Sequence, residues 1–445
     1  MNKKYAKALD CFPPFAEAVR TFLPTAGTEH ARLTLQVTAP VLFTYVWYVL
    51  REAERMGLKR LYFLARDGYV LLEIAKEIVK VCPVGLELRY LYCSRASLRM
   101  PSYHRIPEAE AMDLLLHRGT NLTVQHILDR ADVSDTQRKA VYEALGMNAE
   151  TASAKLSEND FNAICDKLRN CNIFRSIVME NSRAAYETAM PYFIQEGLTD
   201  GTRFGIVDSG WTGSMQRSLR QLSDEIPPMT GFYFGMFARR KSSGDGIYNT
   251  WYFSADSSIS VRTKFNNNLF ECMCAAPHGM TIGYRQDTDR RYVPVMKPYD
   301  DTAATDAVIR TQISSCQAFA ACCAARISYQ DFDPARMHDI SRQLLTALMY
   351  RPDKNEAEAF SCFTFCDDVT ESYSDSLVRH SEAAVIKEHL FLRRMAKKLR
   401  GQKPSRELFW VYGSLAVSGL HFLPLRRFSL RFWDVIRCIL DGRKN

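Results

Sequence analysis

The opening residues, MNKKYAKALDCFPPF, lack an apolar run of signal-peptide length ahead of a small-residue cleavage site. That absence excludes an ordinary export signal there and predicts a cytoplasmic protein. A good membrane span is also missing. The best candidate, LFWVYGSLAVSGLHFLPL (408–425), has neither acidic residues nor Lys or Arg, but two glycines, two serines and a proline interrupt it. It sits at the lower length limit for a span, so a buried segment is expected. The 13 cysteines fall at irregular spacings that exclude a disulfide framework. Neither Cys272/Cys274 nor Cys362/Cys366 has a second pair at zinc-like distance, and in a reducing compartment such residues read mainly as small buried apolar side chains. Internal repeats and low-complexity tracts are absent too, which leaves a globular chain.

What is present is size and a lopsided charge. The chain has 445 residues and is 47% hydrophobic, enough for a large core and two or three domains. Net charge is +8, yet residues 387–445 alone hold 14 Lys/Arg against 4 Asp/Glu, so the whole excess lies there. In LPLRRFSLRFWDVIRCILDGRKN (423–445), Phe428, Phe432, Val435, Ile436 and Ile439 can share one helical face with arginines on the other. Two readings stand side by side. The segment lies on an anionic bilayer at the inner face of the cytoplasmic membrane, or it docks on its own protein with solvated arginines.

A strand–turn–helix grammar runs along the chain. Residues 33–56 have helical spacing and end at Gly57, a suitable cap. The apolar run Leu61–Leu64 then enters the turn Ala65-Arg66-Asp67-Gly68, and a helix is predicted from about Tyr69. LELRYLYCSRASLR reads as a second strand ending in Ser94 and Arg95. Residues 106–198 turn helical throughout. The strand pattern resumes at 203–208, passes through SGWTGS into a helix, and is followed by the apolar run GFYFGMFARR. Such alternation predicts an α/β fold with a parallel sheet covered by helices. The expected division is a first part of the α/β core at 1–105, a helical insertion at 106–200, a second part of the core at 201–300, and a mainly helical C-terminal region with the basic tail at 301–445.

In open α/β sheets, ligands bind beyond the carboxyl ends of strands, where a turn meets a helix N-terminus. Trp211-Thr212-Gly213-Ser214 suits an anion there, phosphate above all. Gly213 admits close backbone approach, and two hydroxyls add donors. A lone carboxylate at Asp208 would repel phosphate, so its natural partners are sugar hydroxyls or a bridging cation. A phosphorylated sugar is the best chemical match. The plainer reading is a helix cap built from Asp208 or Ser209. Arg66-Asp67-Gly68 offers a guanidinium to an anion and a glycine for backbone approach; its plainer reading is a surface ion pair.

At these residues the chain resembles the phosphoribosyltransferases, whose strand-end signature has four apolar residues, two acids, a short stretch and Thr-Gly-x-Thr. FGIVDSGWTGSM (204–215) places Asp208 at the second acid and Thr212-Gly213 at the Thr-Gly; Val207, Trp211 and Met215 depart from the pattern. LARDGYVL is similar to the pyrophosphate loop of that fold. More narrowly, LYFLARDGYVL, YLYCSRASLR, IVDSGWTGSMQ and NLFECMCAAPHGMTIGY together resemble the glycan phosphoribosyltransferase module of bacterial capsule and O-antigen gene clusters, often fused to a haloacid-dehalogenase-type phosphatase. This likeness covers roughly residues 30–290.

The resemblance implies a phosphoribosyltransferase-like, Rossmann-like sheet and a glycosyltransferase. The enzyme would pass 5-phosphoribofuranosyl from phosphoribosyl pyrophosphate (PRPP) to a hydroxyl of a surface polysaccharide, releasing pyrophosphate. It also implies Mg2+ held partly by Asp208, a lipid-linked or oligosaccharide acceptor, and a separate phosphatase for the 5-phosphate. Arg66, the Gly68 backbone and Arg95 are then expected at pyrophosphate and Asp208 at the ribose hydroxyls, with Ser94, Ser209, Gly210 and Trp211 also lining the substrate site. Thr212, Gly213 and Ser214 are expected at the 5-phosphate. A sugar hydroxyl needs a general base. Asp67 is the first candidate, with Glu271 and His278 behind it.

Three rivals have their own signatures. A haloacid-dehalogenase phosphatase requires Asp-x-Asp after its first strand, and Ala65 occupies the nucleophile position ahead of Asp67. A non-catalytic phosphoribosyl-binding sensor or scaffold is suggested by Val207 in place of the first acid. A nucleic-acid reader could use the basic tail, but no binding motif accompanies it.

Overall fold

Five stretches rich in aromatic and branched residues pair into one parallel sheet: β1 Arg60–Leu64, β2 Glu87–Leu91, β3 Phe204–Trp211, β4 Met229–Met236 and β5 Gly246–Phe253. The computed structural model describes residues 1–445 except 118–121, 241–243, 300–301, 328–331, 366–374, 381–382, 403 and 443–445. The sheet order is β2-β1-β3-β4-β5. Arg60 lies opposite Glu87 on one side and Phe204 on the other, and Phe63 lies between Tyr90 and Val207. All of β1 and β4 is buried, as are the first six residues of β3. These strands read as near-continuous apolar runs because both faces of the sheet are covered.

Side-chain alternation divides β1 between two cores. Leu61 and Phe63, with Val207, Phe232 and Phe234, join the larger core, which also takes in helices Ala39–Arg55, Gly68–Val81, Ala303–Ala324 and Pro334–Leu345. Tyr62 and Leu64, with Leu91 and Ile206, face a smaller core closed by Tyr192 and Phe193 of helix Asn172–Gln195 and by Leu219 and Leu222. Between β2 and β3 the chain makes a run of helices with a third core of its own, where Leu115, Ile127, Val141 and Phe174 are fully buried.

The N- and C-terminal helical segments close over the same face. The Tyr5 hydroxyl donates to Glu356 Oε1 at 2.6 Å, Lys4 pairs with the same carboxylate, and His30 Nε2 lies 3.0 Å from Gln312 Oε1. Helix Glu29–Arg55 is long and apolar enough by composition to cross a membrane, but 94% of its apolar window is buried inside this fold. Segment 408–425 is divided: Trp410, Tyr412 and Leu415 are buried, whereas Phe422 and Leu425 are exposed.

Several boundaries differ from the expectation. The second strand ends at Leu91, and Arg95 opens helix Arg95–Ser102. Ser94 caps this helix: its hydroxyl accepts from the Ser97 amide and its own amide donates to Ser97 Oγ. This reciprocal cap starts a helix where strand-like spacing had suggested continuation. The expected run at 203–208 extends to Trp211. Strand β5 and the antiparallel hairpin β6 Thr281–Gln286 with β7 Tyr292–Met296 were not anticipated. Six of the described cysteines are buried and none is disulfide-bonded; Cys366 lies outside the described residues.

Tyr45, buried on helix Ala39–Arg55, donates its hydroxyl at 2.8 Å to both Asp208 O and Phe232 O, tying that helix to the middle of β3 and β4. Tyr45→Phe removes the donor without changing the ring. The expected loss is about 1–2 kcal/mol of unfolding free energy, read from urea midpoints.

Candidate functional site

The strand order creates a divergence. From β1 the chain moves outward to β2, then returns to lie on the other side of β1 as β3. Helix Gly68–Val81, which follows β1, packs in the larger core, and helix Ser214–Leu222, which follows β3, packs on the opposite face. Two neighbouring loops that turn away from each other leave a crevice between them, at the position where open α/β sheets bind ligands.

Both sequence motifs meet in that crevice. Asp67 lies in the turn after β1, and its carboxylate accepts a hydrogen bond from Ser209 Oγ near the C-terminal end of β3. The turn after β1 and the end of β3 each contain one cis peptide, Ala65–Arg66 and Gly210–Trp211. Asp208, 9% exposed, and Ser209 end the buried part of β3. Glu271 arrives from the short helix Asn267–Met273 and accepts from Trp211 Nε1 at 2.7 Å. Phe270 of that helix packs on Trp211 and stacks on Phe234, with ring centroids 5.7 and 4.1 Å apart. The aromatic packing therefore fixes both partners of the Trp211–Glu271 bond.

Two glycines shape the end of β3 and the turn that follows it. Gly210 has φ +137°, and a Cβ there would stand 2.0 Å from Gly235 O on β4. Gly213 has φ +65°, precedes helix Ser214–Leu222 as its N-cap, and presents its bare Cα to the Tyr248 ring. Thr212 is exposed and Ser214 half-buried at the start of that helix, with Arg240 Nε donating to Thr212 O at 2.9 Å. On the β1 side, Gly68 lets the next helix descend directly onto the strand, since a Cβ would lie 2.6 Å from the Phe63 carbonyl carbon.

The other singled-out residues divide in two. Arg66 and Arg95 are exposed, and their charges act on both Asp67 and Glu271. Ser94 is buried and fully employed, because its hydroxyl donates to Thr281 O at 2.6 Å and caps its helix. His278 stands among Tyr69, Tyr90 and Tyr92, with Nε2 2.8 Å from the Tyr90 hydroxyl and Nδ1 2.9 Å from Gly279 O. Burial lowers its pKa, so it is a neutral ring with both nitrogens engaged.

Electrostatics give the crevice its character. Burial raises the pKa of Asp67, Asp208 and Glu271. The carboxylates also oppose one another: Asp67 raises both of the others, and Glu271 adds to the rise at Asp208. Glu271 is pushed up to about 7. Near neutral pH this cluster therefore keeps a proton that isolated carboxylates would release. Among the described residues, no group of three His, Cys, Asp or Glu forms a metal cage.

Cations that sequence reasoning missed stand beside it. Arg99, partly buried, feels the charges of Arg95, Arg130 and Arg217, and its pKa is lowered by burial and by these neighbours. Arg95 and Arg99 are four apart on one helix, and Arg217 is in the first turn of helix Ser214–Leu222. That spacing was the available signal. The three tyrosines around His278 were missed as well, because they become neighbours only through pairing of β2 with β1.

No family model matches the chain, and no curated protein matches it.

A carboxyl kept protonated by the fold makes stability fall as pH rises from its unfolded pKa, near 4.5, to its folded one, about 7. Glu271→Gln keeps an acceptor for Trp211 and removes the titration. The variant is expected to be more stable than the parent by about 1–3 kcal/mol at pH 8, with no gain at pH 4, in urea melts at the two pH values.

Proposed function

We propose that the crevice binds PRPP and transfers its 5-phosphoribosyl group to a hydroxyl of a bacterial surface glycan, on a phosphoribosyltransferase-like sheet. The observation that carries this reading is the Ser209–Asp67 bond, because it unites the two motifs on which the resemblance rests. The mixture of charges supports it: PRPP offers anionic ends to arginines and neutral hydroxyls between them to carboxyl groups.

The roles follow from the chemistry. Arg66 and Arg95 bind pyrophosphate, and the first amides of helix Ser214–Leu222 with Thr212 and Ser214 receive the 5-phosphate. Asp208 accepts hydrogen bonds from ribose hydroxyls. The bond from C1 to the pyrophosphate oxygen breaks, C1 joins the acceptor oxygen, and the acceptor proton passes to a carboxylate. Glu271, pushed up to about 7, suits that base better than His278, whose nitrogens are both engaged; Asp67, like Glu271, already accepts one hydrogen bond. The buried carboxylate oxygens also suit a hard cation carried in by pyrophosphate, since Mg2+ commonly takes one or two protein carboxylates and substrate oxygens. Asp208 and Asp67 would hold it, and its charge would ease departure of pyrophosphate.

The test combines PRPP, Mg2+ and capsule or O-antigen fragments, with mass spectrometry for a phosphopentosyl adduct and an assay for released pyrophosphate. The parent should form both products. Asp208→Asn should lower the rate by about 10²-fold or more with unchanged melting, and full activity in that variant would remove Asp208 from the site. PRPP binding without pyrophosphate release would instead identify a sensor or scaffold.

A further inference from the structure

The C-terminal arm turns apolar side chains outward. Helix Leu423–Gly442 is fixed to the protein along one side: Leu430 and Trp433 are buried, the Tyr412 hydroxyl donates to Asp434 at 2.9 Å, and Arg427 donates to Pro352 O at 2.6 Å. On the other side stand Leu425, Phe428, Phe432 and Ile439, 69, 67, 45 and 40% exposed. Their spacing of 3, 4 and 7 residues sets them in one stripe along the helix.

Helix Phe391–Leu399 continues the patch. The Phe391 and Phe432 rings meet edge to face at 4.6 Å, and the Phe391 amide donates to Ser429 Oγ at 2.9 Å. This second helix exposes Leu392 and Leu399 by 77 and 82%. Of the 14 exposed large hydrophobic residues among those described, 7 lie between 392 and 439. Exposed apolar residues concentrated in this way mark an interaction surface rather than ordinary scatter. Arg393 and Lys398 on this second helix, Arg400 at its C-cap and Arg437 on the first helix are exposed as well.

We propose that this face lies on an anionic lipid bilayer, with the apolar stripe entering the headgroup boundary and the basic residues meeting lipid phosphates. The charge distribution selects this occupant. A second copy of the chain would bring the same basic surface against itself across a two-fold contact, whereas an anionic bilayer complements it. Arginines recur along helix Leu423–Gly442, so it suits lying in the interface and not crossing it. The inference rests on the arm alone and is independent of the reaction assigned to the crevice.

The test is sedimentation of the full chain with vesicles of phosphatidylcholine alone and with phosphatidylglycerol added. The parent should bind the anionic vesicles, with affinity at least about tenfold weaker at high salt. Leu425→Ser combined with Phe428→Ser should weaken binding about tenfold or more, and Arg393→Glu with Arg400→Glu should do the same, both with unchanged thermal melting because all four side chains are exposed. No binding to anionic vesicles, or binding that neither pair alters, overturns the proposal. So does a parent dimer that Leu425→Ser/Phe428→Ser converts to monomer without vesicle binding by the parent, which would give the face to a second copy.

Discussion

The pairing of β1 with β3 is the constraint on which the candidate site depends. About 140 residues separate these strands in the chain, yet Arg60 to Phe63 lie directly beside Phe204 to Val207. The insertion between them is tolerable because it has its own core and returns through one long helix anchored by Tyr192 and Phe193 on the sheet. Loop-closure entropy grows slowly with length, so a self-supporting insertion adds little further cost to the pairing. Once the strands are adjacent, the loops that follow them must diverge, because their helices cover opposite faces. The crevice is then a consequence of topology, and Ser209 reaching Asp67 is its first cross-link.

Packing then sets the chemistry in that crevice. Three carboxyl groups on separate elements are brought under partial cover, where Asp67 disfavours the ionisation of the other two and Glu271 that of Asp208. Arginines on the helices after β2 and β3 supply the opposite charge nearby, and these also repel one another at Arg99. Neither set is at ease alone. A ligand with anionic ends and hydroxyls between them relieves both, since hydroxyls can donate to the carboxylates while phosphates accept from guanidiniums. This physical argument for a phosphorylated sugar does not depend on the signature at 204–215 and agrees with it.

Local sequence carried the elements that obey local rules. β1, the turn at 65–68, β3 and its glycine turn, and the capped helix ending before Gly57 follow from spacing and from the residues a turn demands. Asp67, Asp208, Glu271 and the Thr212-Gly213-Ser214 turn were recognisable by residue type. Their relations were not. Trp211 finds Glu271 through aromatic packing with Phe270, and His278 is engaged by a tyrosine from β2 nearly 190 residues earlier. Ser94 shows the reverse error. It resembled a ligand group at a strand end, but its hydroxyl serves a helix cap and a carbonyl of β6. A single polar residue carries no mark that separates a cap from a binding group; only its partners do.

The basic arm illustrates why two sequence readings can both describe one helix. A segment with bulky apolar residues at several angles can dock and still keep an apolar stripe outside. Leu430 and Trp433 anchor one side, while Phe428 and Phe432 emerge on the other. Burial inside the protein therefore does not exhaust the helix's hydrophobic surface, and Phe391 extends the outward stripe from a neighbouring helix instead of covering it. A fold that needed only a docked cap would gain by placing arginines along that outward stripe. Here that stripe stays apolar, and exposed Arg393 and Lys398 on the neighbouring helix supply positive charge, so the arm carries both terms of interfacial binding.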